Sequence, residues 1–140
     1  MLPLIHIFLS IILSLILFLL NMPFWQILVI FFSSILIDID HYFLYISLRK
    51  DINLKNAILF YINEGKKYEN NKKYQFAFLQ VFHTIEFFLF LLIFSFFNRI
   101  ALLIFMGCMF HMCTDLVEHV ITKHVYLKSP SLFFRRKIKI

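Results

Sequence analysis

The sequence has little of what water-soluble domains rely on. Charged residues fill 16% of its 140 positions, against about a quarter in ordinary soluble domains, and there are only 2 Gly, 3 Pro and 2 Cys. With so few Gly and Pro there is no flexible linker, and no repeat is visible, so the chain reads as a single domain. The two Cys, at positions 108 and 113, sit in one apolar stretch. Five apart on a helix, they are badly placed to bridge, and both read as packing residues. No glycine-rich phosphate loop, GxSxG elbow or CxxC pair occurs, which argues against nucleotide and serine-nucleophile chemistry. The few charges are clustered rather than spread, which excludes a disordered tail and a nucleic-acid-binding module.

What is there is apolar: 61% hydrophobic residues, 20 of them Phe, with a mean hydropathy of +0.83. Residues 2–20, 23–48, 76–97 and 100–121 each supply the ~20 predominantly apolar positions that a membrane-spanning helix needs. Asn21-Met22-Pro23 and Asn98-Arg99 provide tight turns between paired spans. The predicted fold is an all-α four-helix transmembrane bundle, with a short interfacial helix over Asn53 to Glu64, capped by Asn53 and closed by Gly65.

Orientation follows from the basic residues. The loop 49–75 holds seven Lys/Arg and three acids, the tail 122–140 holds six Lys/Arg and no acid, and Arg99 stands alone on the other side. The positive-inside rule places loop, tail and both termini in the cytoplasm, in a multi-pass protein of the cell membrane. Residues 2–20 lack a basic n-region and a small-residue cleavage site, so they read as a retained helix. Trp25 stands where an outer aromatic belt forms. Lys66, Lys67, Lys72, Lys73, Arg135, Arg136, Lys137 and Lys139 read as solvated runs within reach of anionic lipid headgroups.

The polar residues inside the apolar segments carry the functional signal. Five of the 8 acids (Asp38, Asp40, Glu86, Asp115, Glu118) and five of the 6 His (His6, His41, His83, His111, His119) fall within the spans, where no Lys or Arg accompanies them. At roughly 2.5 to 3.5 kcal/mol for each ionised group at mid-helix, five such carboxylates would cost on the order of 10 kcal/mol. Protonation, pairing with imidazolium, or coordination of a metal with neutral His would each remove that cost. The inventory favours the metal, because Asp and His are the ligand set of zinc and similar divalent ions.

Depth and helical phase agree with that reading. His6, Asp38 to His41, His83, and His111 with Asp115 lie at similar distances from the cytoplasmic ends of four different spans. At 100° per residue, His111, Thr114, Asp115, Glu118, His119 and Thr122 share a sector about 140° wide. Gln80, His83 and Glu86 group on the third helix, Ser34, Asp38, His41, Tyr42 and Tyr45 on the second, and His6 and Ser10 on the first. Asp40 points nearly opposite Asp38 in a straight helix. Either the helix ends or bends there, or one of the two aspartates only orients a ligand. His111-x-x-x-Asp115 is the strongest single motif, since residues four apart on a helix can share one ion.

These residues resemble the YdjM-like family of membrane-bound, predicted metal-dependent hydrolases. The resemblance rests on His6, on Asp38-Ile39-Asp40-His41 beside the family's Pro-Asp-x-Asp-His, on His83, on His111-x-x-x-Asp115, and on the basic, aromatic tail. Ile37 stands where the family often has Pro, and Phe82-His83-Thr84-Ile85-Glu86 stands where a His-Arg-Gly-x-Thr-His-Ser stretch is commoner. In the more similar His-x-x-Glu version, Glu86 replaces a ligand or acts as base. The family is distantly similar to zinc-dependent phospholipase C and P1 nuclease.

The resemblance implies phosphoester hydrolysis at the cytoplasmic leaflet, with one to three divalent ions, Zn²⁺ foremost, on His6, Asp38, Asp40, His41, His83, His111 and Asp115. Glu86 or Glu118 would be the general base, and the partners are membrane lipids and a phosphoester substrate. Two other readings stand beside it: a membrane protein that binds or transports metal ions or protons, and a non-catalytic structural subunit. The outer halves of the first, third and fourth spans hold little polar beyond Ser14 and Ser95, which disfavours transport.

Overall fold

A computed structural model describes residues 3–70 and 81–122, with side chains placed for 5–64 and 81–117. The described residues are helical, with no strand among them: α1 (Pro3–Leu19), α2 (Phe24–Leu36), α3 (Ile39–Arg49), α4 (Leu54–Asn70), a 3-10 turn (Val81–His83), α5 (Ile85–Ser95) and α6 (Arg99–Thr122). α2 lies at the centre, packed on α6 and α1; α5 covers the other side of α6, and α3 rests mainly on α4. Two helices are long and apolar enough to cross a membrane: Phe24–Arg49, taken through its break, and Arg99–Val117. Ile5–Leu19 and Ile85–Ser95 are apolar but shorter.

Both hairpins follow local chemistry. α1 closes with Asn21 in the left-handed region at φ 60°, where Asn is tolerated, and Met22 N–H returns to Leu17 O at 3.1 Å. Pro23 caps α2 from just outside its first residue. Asn98 caps α6: its Oδ1 accepts from Ile100 N–H at 2.8 Å and Ala101 N–H at 3.3 Å.

Three elements differ from the sequence expectation. The second span is broken at Ile37 and Asp38, where the hydrogen bonding tightens: Asp38 N–H bonds Ile35 O at 3.3 Å, and His41 N–H bonds Asp38 O at 3.1 Å. The third span, expected as one helix over 76–97, is interrupted among the described residues: a 3-10 turn over Val81–His83 is followed by α5 only from Ile85. Thr84 is extended (ψ 152°), its hydroxyl accepting from Phe87 N–H and donating to Val81 O, so it is an N-cap rather than a helical residue. Gln80 and the rest of 76–80 lie outside the described residues. Finally, the interfacial helix runs past Gly65 to Asn70. No glycine has positive φ, so Gly65 does not end the helix; inside one, glycine costs only about 1 kcal/mol.

The interior mixes apolar and polar side chains, while much of the surface is apolar. Buried positions include His6, Ser10, Gln26, Ser34, Asp40, His83, Thr84, His111 and Asp115, while Phe18, Leu19, Phe96 and Phe97 are 62–85% exposed. Close helix approach makes the polar interior possible. At Gly107 an added Cβ would meet Ser33 Oγ at 2.0 Å and Ile30 O at 2.5 Å, so α6 touches the backbone of α2 there. Ser10 and Ser34 join α1 to α2 through their hydroxyls, 2.8 Å apart. Cys108 packs in a cluster with Ile37 and Leu91, as expected, whereas Cys113 is exposed and not a packing residue; both are free thiols.

Candidate metal centre

The cluster is assembled by the irregularities in the helices. Asp38 occupies the N-cap position of α3, where an Asp side chain ordinarily bonds an amide, but it makes no capping bond. Its Oδ1 instead lies 3.3 Å from His111 Nε2, 3.4 Å from His41 Nε2 and 3.5 Å from His83 Nε2. The break before α3 also resolves the phase of Asp40. Asp40 Oδ2 accepts from Phe82 N–H at 3.1 Å and lies 3.3 Å from His83 Nδ1, so both aspartates reach the same histidine. The extended Thr84 and the 3-10 turn before it turn His83, 6% exposed, inward to meet them.

On the other flank, His6 of α1 stacks on His111 of α6 with ring centroids 4.0 Å apart, and His6 Nε2 is 3.2 Å from Asp115 Oδ1. His111 Nε2 is 3.8 Å from Asp115 Oδ2, which joins the two halves. The seven predicted ligands therefore fall into three adjoining groups: His6, His111 and Asp115; Asp38, His83 and His111; and Asp40, His41 and His83. Within each group the ligand atoms lie within 4.8 Å of one another. His83 and His111 each belong to two groups, so the three form one continuous centre.

Hydrogen bonds fix the imidazole tautomers. His111 Nδ1 is 2.8 Å from the carbonyl of Ser34, which can only accept, so Nδ1 carries the proton and the neutral ring presents a lone pair at Nε2. That carbonyl is available because the break in the helix sends Asp38 N–H to Ile35 instead. The same reasoning holds for His6. Thr114 donates its one hydroxyl proton to His111 O at 2.7 Å, so its oxygen accepts from His6 Nδ1 at 3.0 Å, leaving His6 Nε2 to face Asp115.

Lone pairs facing carboxylate oxygens repel unless a proton or a metal ion lies between them. Protons are a poor answer here. Two imidazolium rings stacked at 4.0 Å would repel by about 4 kcal/mol at an effective dielectric of ~20. Asp40 Oδ1 and His111 Nε2 are buried without a hydrogen-bond partner among the described residues. The donor set therefore fits a divalent cation: neutral imidazoles already turned by hydrogen bonds at Nδ1, with anionic oxygens beside them.

Access is one-sided. The side chains of His6, His83, His111, Asp40 and Asp115 are at most 8% exposed, whereas His41 and Asp38 are 22% and 28% exposed. Among the described residues, the cluster is least covered at the Asp38–His41 edge. Tyr61 of α4 flanks this edge: its hydroxyl donates to His41 O at 2.6 Å and its ring meets the His41 ring edge-on. Burial, with the nearby Asp40 charge, holds the Tyr61 hydroxyl well above the ordinary tyrosine range.

Glu86 is half-buried in the first turn of α5 and is not among the three ligand groups. The side chains of Lys66, Lys67, Glu118 and His119 are not among those described, and Lys72, Lys73 and the tail beyond 122 lie outside the described residues. Residues that the sequence reading did not single out also build the site: Gly107 allows the close approach of α6, and Tyr61 holds His41. Gly107 carried a signal, as one of only 2 Gly, the other being Gly65. Tyr61, within the predicted interfacial helix, carried none. Scanned against protein-family models, curated proteins and solved structures, the chain matches none.

Proposed function

We propose that the protein is a membrane-embedded, metal-dependent hydrolase acting on a phosphoester at the cytoplasmic leaflet, with zinc as the resident ion. The four apolar segments form a multi-pass bundle in this reading, the third crossing as a broken helix, with both termini cytoplasmic. The outward-facing Phe and Leu surface supports a lipid solvent, and the 13-to-1 partition of Lys/Arg supports the orientation.

One observation carries the metal reading. Two ligands each ~2.0–2.1 Å from a tetrahedral zinc lie about 3.3–3.4 Å apart. The carboxylate-to-imidazole separations along the Asp38 and Asp115 contacts are 3.2 to 3.5 Å, with the longer 3.8 Å between His111 and Asp115. The side chains are thus spaced as the edges of coordination polyhedra.

The ion, when bound, polarises the phosphoryl oxygen and lowers the pKa of water towards 7. The chain supplies the rest. His111 and His6 keep Nε2 deprotonated through Ser34 O and Thr114, Asp40 orients His83, and Asp38 draws three imidazoles to one point. The sealed flank excludes water, and the Asp38–His41 edge admits the ester. Glu86 or Glu118 takes the proton from the attacking water. The resemblance to YdjM-like proteins favours hydrolysis over transport. So does the polarity gradient: among the described residues, the outer halves of the helices hold Ser14, Gln26, Ser33, Ser34, Ser95 and Arg99 but no carboxylate or histidine.

The test is hydrolysis by protein purified in detergent, with phospholipid, prenyl phosphate and nucleotide esters as substrates and chelator as control. Metal-dependent cleavage of one class, lost in His83→Ala, supports the proposal. Bound metal without cleavage of any ester favours a binding or transport protein; absence of both leaves a structural subunit.

A further inference from the structure

α4 presents two different apolar faces. Ala57, Tyr61 and Glu64 lie on one line of the helix and turn toward the protein, with Ala57 and Glu64 buried and Phe60 packed on Tyr45. About 70° round the helix, Leu54 and Ile58 form a second, neighbouring line, joined by Ile52 before the first turn. These are 60%, 40% and 76% exposed. The opposite side carries the exposed Asn56 and Asn63. A helix in water would have no reason to keep the second stripe apolar.

Two further observations indicate what covers that stripe. α3, which leads into α4, also exposes apolar side chains, with Phe43 59% and Leu48 51% exposed. The stripe is also flanked by the exposed cations Arg49, Lys50 and Lys55. Arg49 is held over the Phe60 ring at 5.1 Å, which fixes it at the junction. The joint is rigid: Asp51 accepts from Tyr45 hydroxyl, Asn53 N–H and Asn56 Nδ2, and Asn53 caps α4 through Lys55 N–H.

We infer that α4 docks on the headgroup layer of an anionic leaflet, its Ile52, Leu54 and Ile58 seated below the phosphates and Arg49, Lys50 and Lys55 pairing with them. The neighbouring line grips His41 through Tyr61, so the docked helix holds the Asp38–His41 edge against lipid headgroups. This rests on the membrane placement proposed above and is independent of the metal.

The single Trp of the chain makes a direct test practical. In a Trp25→Phe background, Ile58→Trp, Asn63→Trp and Phe90→Trp are placed in nanodiscs of brominated phosphatidylcholine, with or without phosphatidylglycerol. Quenching at position 90 tests membrane placement separately. Docking predicts that Trp at 58 is quenched by brominated chains and shielded from iodide several-fold better than Trp at 63. Shielding should weaken without the anionic lipid, and weaken in Lys50→Glu/Lys55→Glu with it. Equal iodide quenching at 58 and 63 overturns the inference. So does a position 58 shielded from both quenchers, which would mean that protein covers the stripe. Leu54→Trp gives the same readout should Ile58→Trp fold poorly.

Discussion

At the scale of single residues, the cluster depends on which nitrogen of each histidine carries the proton. Thr114 has one hydroxyl proton, given to His111 O, so it orients His6 only as an acceptor. Thr114→Val keeps the shape and removes that acceptor; metal affinity is expected to fall roughly 10- to 100-fold, as for other residues that orient a ligand histidine. Isothermal titration of the metal-free protein with Zn²⁺ measures it. Asp38 is more central, since three imidazole nitrogens lie within 3.5 Å of one of its oxygens. Asp38→Asn keeps the volume and loses the charge. Zinc retention through gel filtration should drop below that of Thr114→Val, while the metal-free protein melts at or above the unsubstituted temperature because one of three clustered carboxylate charges is gone.

At the scale of elements, the centre is made where helices stop being regular. Gly107 sits one turn before His111, against the backbone of α2. Gly107→Ala forces α2 and α6 apart, with an expected loss of about 1–3 kcal/mol in stability and a weaker zinc affinity, because His111 leaves Ser34 O. Denaturant unfolding in detergent and zinc titration of one preparation should move together. The joint between α3 and α4 carries a pH dependence. Hydrogen bonds from Tyr45, Asn56 and Asn53 hold the Asp51 carboxyl below the usual carboxylate range. A depressed carboxyl contributes stability above its unfolded-state value and loses it as pH falls through the folded one. Amide exchange over residues 50–57 should therefore quicken below about pH 4, and show no such step in Asp51→Asn.

The same irregularities explain what was legible beforehand. The seven candidate ligands stand out because Asp and His are conspicuous in apolar segments lacking Lys and Arg. The two breaks do not. Ile37-Asp38 contains neither Pro nor Gly, and its departure from the α-helical pattern arises from tertiary bonds, namely Ser34 O to His111 and Asp38 to three histidines. Thr84 reads equally well as a helical residue or as a cap, and inward-facing His83 selects the cap. The extension of α4 past Gly65 shows the limit of reading a glycine as a stop: it was chosen by position alone, without any need for positive φ.

At the scale of the whole molecule, one centre draws on α1, the α2–α3 junction, the turn before α5, and α6. Bound metal then stabilises the folded protein by mass action, by about 2.7 kcal/mol at a hundredfold excess over the dissociation constant. Chelation should lower the melting temperature, and zinc should restore it. Because the imidazoles must be neutral to bind, affinity should fall as the histidines protonate. The measurement that tests the account most directly is the metal content of the purified protein by mass spectrometry. Zinc or a similar divalent ion is predicted in stoichiometric amount, and its loss in an Asp38→Asn/His111→Ala variant that still folds. A folded wild-type protein that carries no transition metal, and takes up none from a zinc-containing buffer, would contradict it.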